Sequence, residues 1–563
     1  MTFDVTPPTR TRRPVLPFLQ SDIAIGAGAI LVALVVAMPI IALFVMAATG
    51  DGASFGRLVE TILPRASLTT LGLLAGLAVL TGIIGALSAW LISYFSFPGR
   101  NILSWALMLP LAVPTYISAY AFVEFFTFTG PIQSFIRQIG GFTSARDYWF
   151  PDIRSLPGAI LVLSLVLYPY VYLAVRALFQ LQGRRAIEAA QVLGAGHRRI
   201  LIRILIPLAR PALALGIILA MMEAINDIGA MEFLGVRTLT FATFSVWVNQ
   251  GDMAGSAQLA LALLLFVICL IAAERWARKG QRYDDSKVRV TREPFTRQRL
   301  SGVGAVAAFV ACVLPVALGF GVPFFTLGVY ALRYVSRGLD PRLLSALSTS
   351  VMLAAIAALV TVLLALLLAY AVRVRNTARI QLAVRAAAVG YAMPGTIIAL
   401  GIFMPLARLD NFIDGQMRML FDVSTGLLIT GSGVTLIYAY AVRFMAIAEG
   451  TIDGGFRKIS PTLDMAAACY GRSRWQTLTQ VLMPLLKPAI ASAALLVFID
   501  SLKELSATLM LRPFGIETVS IYIHDLASRG RIEQAGLAAL LVMVIGIIPV
   551  IMLTRMSLQR DAD

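Results

Sequence analysis

Runs of about 20 or more apolar residues, separated by short polar and basic stretches, recur along the whole chain. A bilayer core about 30 Å thick is crossed by a helix of about 20 such residues. The pattern predicts roughly twelve spanning helices, near 22–49, 67–97, 102–127, 157–181, 207–229, 255–273, 302–332, 345–373, 380–407, 425–448, 484–505 and 535–556. The first run, Ile23 to Ala48, follows Arg10, Arg12 and Arg13 as a secretory signal would. Its length of about 26 residues exceeds a signal h-region of about 7–15, so it reads as a retained span.

Composition sharpens this picture. With 59% hydrophobic and 14% charged residues and a mean hydropathy of +0.83, a water-soluble fold could not cover the apolar surface. The formal net charge of +17 does not point to nucleic acid, because the basic residues form no patch interleaved with aromatics. They sit in the short loops instead. Alternating the loops from an inside N-terminus puts Arg100, Arg184, Arg185, Arg198, Arg199, Arg203, Arg373, Arg375, Arg379, Arg457, Lys458, Arg472 and Arg474 on one face, with the basic stretch Arg275 to Arg299. The positive-inside rule then makes both termini cytoplasmic. Cys269, Cys312 and Cys469 form no CxxC pair and read as packing residues.

An internal repeat divides the chain. Glu188 to Leu213 aligns without a gap to Met465 to Ile490, pairing Gly194 with Gly471, Pro207 with Pro484 and Pro211 with Pro488. Upstream, the stretch from Val113 (VPTYISAYAF) pairs with that from Met393 (MPGTIIALGI). The expected architecture is an all-α polytopic membrane protein of two six-helix repeats, over 1–273 and 301–563, joined by a basic cytoplasmic linker at 274–300. An even number of spans per repeat makes the two copies parallel.

Between the fourth and fifth spans of each repeat lies a patterned cytoplasmic loop, at 184–205 and 461–482. The first reads as an Ala-rich helix, a turn at Gly194 to Gly196, and a second helix with Ile200, Leu201, Ile204 and Leu205 apolar. Its Glu188-Ala189-Ala190, Gly194, Ile204 and Ile206-Pro207 resemble the loop signature of type I ABC importer permeases. The second copy has Ala466-Ala467, Gly471, Val481 and Met483-Pro484, but Met465 replaces the glutamate and the acid, Asp464, stands one place earlier. The resemblance implies the type I permease fold, with Glu188, Ala189, Ala190, Gly194, Pro207, Asp464, Ala466, Ala467, Gly471 and Pro484 coupling the bundle to two copies of an ABC ATPase subunit. It also implies an extracytoplasmic binding protein that delivers cargo, and a setting in the bacterial inner membrane. No GxxxxGK[ST] occurs, so ATP is expected on the partner ATPase, with no cofactor on this chain and no catalytic residue.

Charged groups inside apolar helices are costly, on the order of 2.5–3.5 kcal/mol each. Glu223 and Asp227 stand four apart in the fifth span, and in repeat register Asp500 and Glu504 stand four apart in the eleventh. Continuous helix would put each pair on one face. Carboxylates suit a hard cation better than an anion, so these four are candidate cargo-path residues, with no metal site assigned to them. They can equally pair with Lys503, Arg237 or Arg512 and shape the end of the bundle; the residues leave both readings open. The text around them, EAINDIGAMEFLGVRTLT from Glu223 and DSLKELSATLMLRPFGIETVSI from Asp500, resembles double-length ferric-iron permeases. That likeness implies ferric iron as cargo, with thiamine or a polyamine as the alternative. Ser506 and Glu517-Thr518-Val519 depart from the pattern of that group.

His197 and His524 fall on opposite expected faces and make no paired metal site, while Glu124 in the third span can line the cavity or cap its external end. A secondary transporter of two parallel halves would explain the helix count but not the twin Gly-Pro loops. A membrane-embedded enzyme lacks a His cluster, nucleophile elbow or HExxH to work with.

Overall fold

A computed structural model of the protein describes residues 16–49, 52–180, 196, 199, 203, 205–278, 297–335 and 340–562. Nine described helices are long and apolar enough to cross a membrane, and the pair Arg100–Ala112 and Thr115–Gly140, bent by 94°, makes a tenth. The bend falls where Pro110 and Pro114 remove backbone donors. Helices also stand at the remaining two expected spans. Val434–Arg457 carries Arg443, Glu449 and Asp453, which lower its mean hydropathy, and Ile532–Ala562 has its apolar part at Ile532–Ile548.

The structure divides into two compact units, neither of which is one sequence repeat. The smaller gathers Met1–Met38, Ala354–Tyr391 and Tyr440–Phe498. Within it the N-terminal helix packs on the second half of the sequence: a Cβ on Gly26 would lie 3.5 Å from Ile380 Cδ1. Gly390 approaches the Val442 carbonyl so closely that a Cβ would fall 2.2 Å from its oxygen.

The larger unit comprises Pro39–Leu353, Ala392–Ala439 and Ile499–Asp563. At its centre Leu63–Tyr94, Leu156–Leu178 and Ile206–Asn226 pack together, with Tyr168, Val171 and Tyr172 fully buried between them. Gly85 and Gly216 both meet Val171, where any Cβ would lie 2.5–2.6 Å from it. Small residues let helices approach in this way when lipid gives no hydrophobic incentive to associate. Gly319, in the first span of the second repeat, lies against the Leu165 carbonyl. Thus the leading helix of each repeat packs on residues of the other.

Repeat symmetry also appears in hydrogen bonds. Thr70 Oγ1 accepts from Leu239 N at 3.0 Å, and Ser350 Oγ accepts from Val519 N at 2.7 Å; both pairs are 169 residues apart in sequence. Each hydroxyl satisfies the first amide of a helix, Leu239–Gln250 or Val519–Ser528, whose N-caps are Thr238 and Thr518. At the ends of the basic linker, the helix Met253–Arg278 continues past 273, and Gln298–Arg299 pairs as a parallel strand with Phe95–Ser96.

Candidate transport site and coupling helix

The fifth span does not run through to 229 as its apolar pattern predicts. Ile206–Asn226 ends, Asp227 adopts an extended conformation (φ −91°, ψ 101°), and a short helix Ile228–Phe233 follows. The eleventh span breaks at the equivalent place: Met483–Leu502 ends and Ser506–Leu511 follows. The i, i+4 face therefore does not extend to Asp227 or Glu504.

These two carboxylates instead organise the breaks. Asp227 Oδ1 accepts from Ala230 N at 2.8 Å. Glu504, in repeat register, accepts from Ala507 N at 2.8 Å, Thr508 N at 3.0 Å and the Thr508 hydroxyl. Both are buried, at 7% and 5% exposure, a setting in which backbone donors offset much of the penalty for removing a charge from water. The breaks are tied to each other as well. Ser506 Oγ donates to the Asn226 carbonyl at 2.6 Å, and Asn226 Oδ1 accepts from Gly395 N at 2.7 Å. Gly229 makes room for this approach, since a Cβ there would lie 2.6 Å from Leu505 Cδ2 and 2.9 Å from Tyr116 Cβ.

The other two carboxylates face a cation. Asp500 Oδ1 pairs with Lys503 Nζ at 3.0 Å, and Glu223 acts electrostatically on the same ammonium. Both acids thus act on one lysine, half-buried and one helical turn before the breaks. Among the described residues no three His, Cys, Asp or Glu side chains gather to hold a metal ion. His197 lies outside the described residues, whereas His524 Nε2 stands 3.0 Å from Glu232 Oε2 and its ring packs on Phe233. Glu124 lies near Arg154 and Tyr330.

The second loop has the helix–turn–helix form expected of it. Thr462–Cys469 is helical, Gly471 takes a left-handed conformation (φ +73°), and Ser473 with Gln476 forms a capping box that starts the next helical segment. A π-helical stretch, Thr477–Leu482, leads into Met483–Leu502 with Pro484 in its first turn. Ala467 faces inward, while Ala466 and the large apolar side chains of Met465, Tyr470 and Trp475 are exposed. In the first loop Glu188, Ala189, Ala190 and Gly194 lie outside the described residues; Pro207 occupies the first turn of Ile206–Asn226.

Sequence reasoning did not find the anchor of the second loop. Arg373, at the end of Pro341–Val374, holds Asp464 through Nε at 3.0 Å and through Nη2, while Nη1 donates to the carbonyls of Phe456 and Ile459. Tyr370 Oη donates to the Arg474 carbonyl at 2.8 Å. The displaced acid at 464 was the available signal, but several arginines and lysines lie near it in sequence and none of them is the partner it takes.

The pattern of the family described as binding-protein-dependent transport system inner membrane component matches residues 78–283 and again 361–560. The Fe(3+)-transport system permease protein FbpB 2 of Haemophilus influenzae is 26% identical over 480 residues, 84% of this chain and 87% of that protein. The putative ferric transport system permease protein FbpB 1 of the same organism is 23% identical over 444 residues, 75% of this chain and 66% of that one. The molybdenum transport system permease protein ModB of Escherichia coli is 29% identical over 215 residues, 36% of this chain and 89% of its own. The chain belongs to the binding-protein-dependent transport system inner membrane component family, with the family domain present twice. It is a multi-pass inner-membrane permease of an ABC importer.

Proposed function

We propose that this chain is the permease of a ferric-iron import system. The observation that carries the reading is the reach of the likeness: the ferric relatives align across most of both repeats, whereas the molybdenum relative covers less than the length of one. The chemistry of the carboxylates supports it, since Glu223 and Asp500, on exchanging Lys503 for cargo, would offer hard oxygen ligands that suit a hard cation better than sulfate or molybdate.

In this reading the division of the chain is a first repeat at 1–273, the linker 274–300 and a second repeat at 301–563, with both termini cytoplasmic as the basic loops suggest. Two ATPase subunits grip the loops 184–205 and 461–482; the exposed Met465, Tyr470 and Trp475 supply an apolar contact for one of them. ATP is bound and hydrolysed there, so this chain breaks no bond and carries no cofactor. An extracytoplasmic binding protein delivers the cargo, and motion of the loops passes into the fifth and eleventh spans, which start at Ile206 and Met483. Glu223 and Asp500 line the cargo path, and Asp227 and Glu504 keep the broken spans in shape around it.

The test is reconstitution of the chain with its ATPase and binding protein in vesicles. ATP-dependent accumulation of labelled ferric ion, undiminished by thiamine, spermidine, sulfate or molybdate, is the expected result. Accumulation of one of those competitors without iron would refute the cargo and leave the permease assignment standing.

A further inference from the structure

A cavity of ≈ 560 Å³ is lined by Ser96, Phe97, Gly99, Arg100, Asn101, Ile102, Arg297 and Arg299. Three of these are arginines and none is an acid. The arginines are brought together by backbone pairing across a sequence separation of about 200 residues: Ser96 is in register with Arg299, and the Ser96 carbonyl accepts from Leu300 N at 3.0 Å. Arg297 and Arg299 flank one residue of an extended strand, so their side chains leave it on the same side. Arg100 also lines the cavity and is held in place, its Nε donating to the Ile92 carbonyl at 2.8 Å and its Nη1 to Asn101 Oδ1 at 3.0 Å. Three arginines lining one cavity match the oxygens of a phosphate in charge and in hydrogen-bond donors.

The depth of the cavity indicates where such a phosphate comes from. The span Leu63–Tyr94 ends one residue before the strand, and the span Gly302–Val335 begins three residues after Arg299. The cavity thus lies where two spans meet the membrane surface. Its rim turns apolar at once, with Ile102 63% exposed and Trp105, one residue short of a turn further on, 39% exposed. Arginines beside exposed aromatic and aliphatic side chains at the end of a span are the composition of a headgroup-binding region.

We propose that this cavity binds the phosphate group of an anionic membrane phospholipid, with the acyl chains lying along Ile102 and Trp105. The strand of residues 298–299 is then held by lipid as well as by Phe95 and Ser96, and lipid composition acts on the end of the linker between the repeats.

Native mass spectrometry of the full-length protein in detergent tests this, with phosphatidylglycerol or phosphatidylcholine added at equal concentration. Retention of phosphatidylglycerol well above phosphatidylcholine is expected. The double variant Arg297→Gln/Arg299→Gln should weaken that retention by roughly fivefold per arginine, about 25-fold together. Equal retention of the two lipids, or wild-type retention by the folded double variant, would overturn the proposal. Complete competition by millimolar inorganic phosphate would assign the cavity to the free anion and overturn the lipid. Raising the salt concentration on the unmodified protein gives an arm that needs no variant: binding at these exposed arginines must weaken, and salt-independent retention counts against the site.

Discussion

Arg373 holds Asp464 across 91 residues of sequence, and the same guanidinium caps the carbonyls of Phe456 and Ile459. One side chain at the end of a spanning helix thereby fixes both the end of the preceding helix, Val434–Arg457, and the start of Thr462–Cys469. The pair is 13% and 18% exposed, so it joins this loop to the bundle largely out of water, which is the stiffness that the proposed coupling role requires. Leaving one member of such a pair without the other costs about 3–5 kcal/mol when fully buried and somewhat less here.

Arg373→Ala should therefore loosen the second loop without unfolding the bundle. Hydrogen exchange at 462–469 is expected to speed up by one to two orders of magnitude, and vesicle uptake to fall, while the first repeat exchanges as before. Unchanged exchange in 462–469 would mean that the pair is not what holds the helix.

Gly471 gives a second handle on the same loop. Its φ of +73° is a left-handed conformation that costs a side-chain-bearing residue about 1–2 kcal/mol, with Asn tolerated best. Gly471→Val should reduce copurification of the ATPase and ATP-driven uptake, and Gly471→Asn should retain most of both. Equal loss in the two variants would point to the space around the glycine and away from its backbone.

Asp227 and Glu504 permit a test between capping and cargo binding. Asparagine caps a helix as well as aspartate does, so Asp227→Asn should keep both stability and uptake. Asp227→Ala should lower stability by about 0.5–2 kcal/mol, read as a fall in the thermal midpoint in detergent. Loss of uptake in a stable Asp227→Asn protein would show that the charge itself meets cargo. Charge removal at Asp500 is expected to do what it does not do at Asp227, cutting uptake while the fold survives.

Outside the spans, Asp147 supplies a pH prediction. The amide N–H of Ser144, then that of Thr143, donates to its carboxylate and holds its pKa below the usual aspartate value. A carboxyl depressed in the folded state stabilises the loop above its unfolded pKa and loses that contribution as pH falls through the folded one. Proteolysis of the 141–155 loop should thus rise on acidification below about pH 4. Asp147→Asn should remove that pH dependence, and a loop whose cleavage ignores pH in both proteins would contradict it.

Several features were legible in the residues because they are local or periodic. The spans follow from apolar run length, the repeat from the matched Gly194/Gly471 and Pro207/Pro484 spacings, and the helix–turn–helix form of the second loop from a glycine between two helical stretches. The breaks in the fifth and eleventh spans were not legible. Asn226-Asp227 and Lys503-Glu504 sit in runs apolar enough to continue as helix; the bonds by which Asp227 and Glu504 restart the helix are local, but the contacts that hold the fifth-span break come from residues distant in sequence, Gly395 and Ser506 on Asn226, with Tyr116 and Leu505 against Gly229.

By itself the sequence determined that this chain lives in a membrane, that it is built twice from one unit, and that each unit carries a Gly-Pro loop of importer type. Those properties depend on residues within a turn or a span of one another, where hydrophobic period and backbone preference act directly. Only the tertiary structure decided which carboxylates cap helices and which face Lys503, that the leading helix of each repeat packs on the other, and that Arg373 reaches Asp464. Such outcomes depend on which buried polar group finds which partner once apolar faces are packed, and partners far apart along the chain leave no period for a sequence to display.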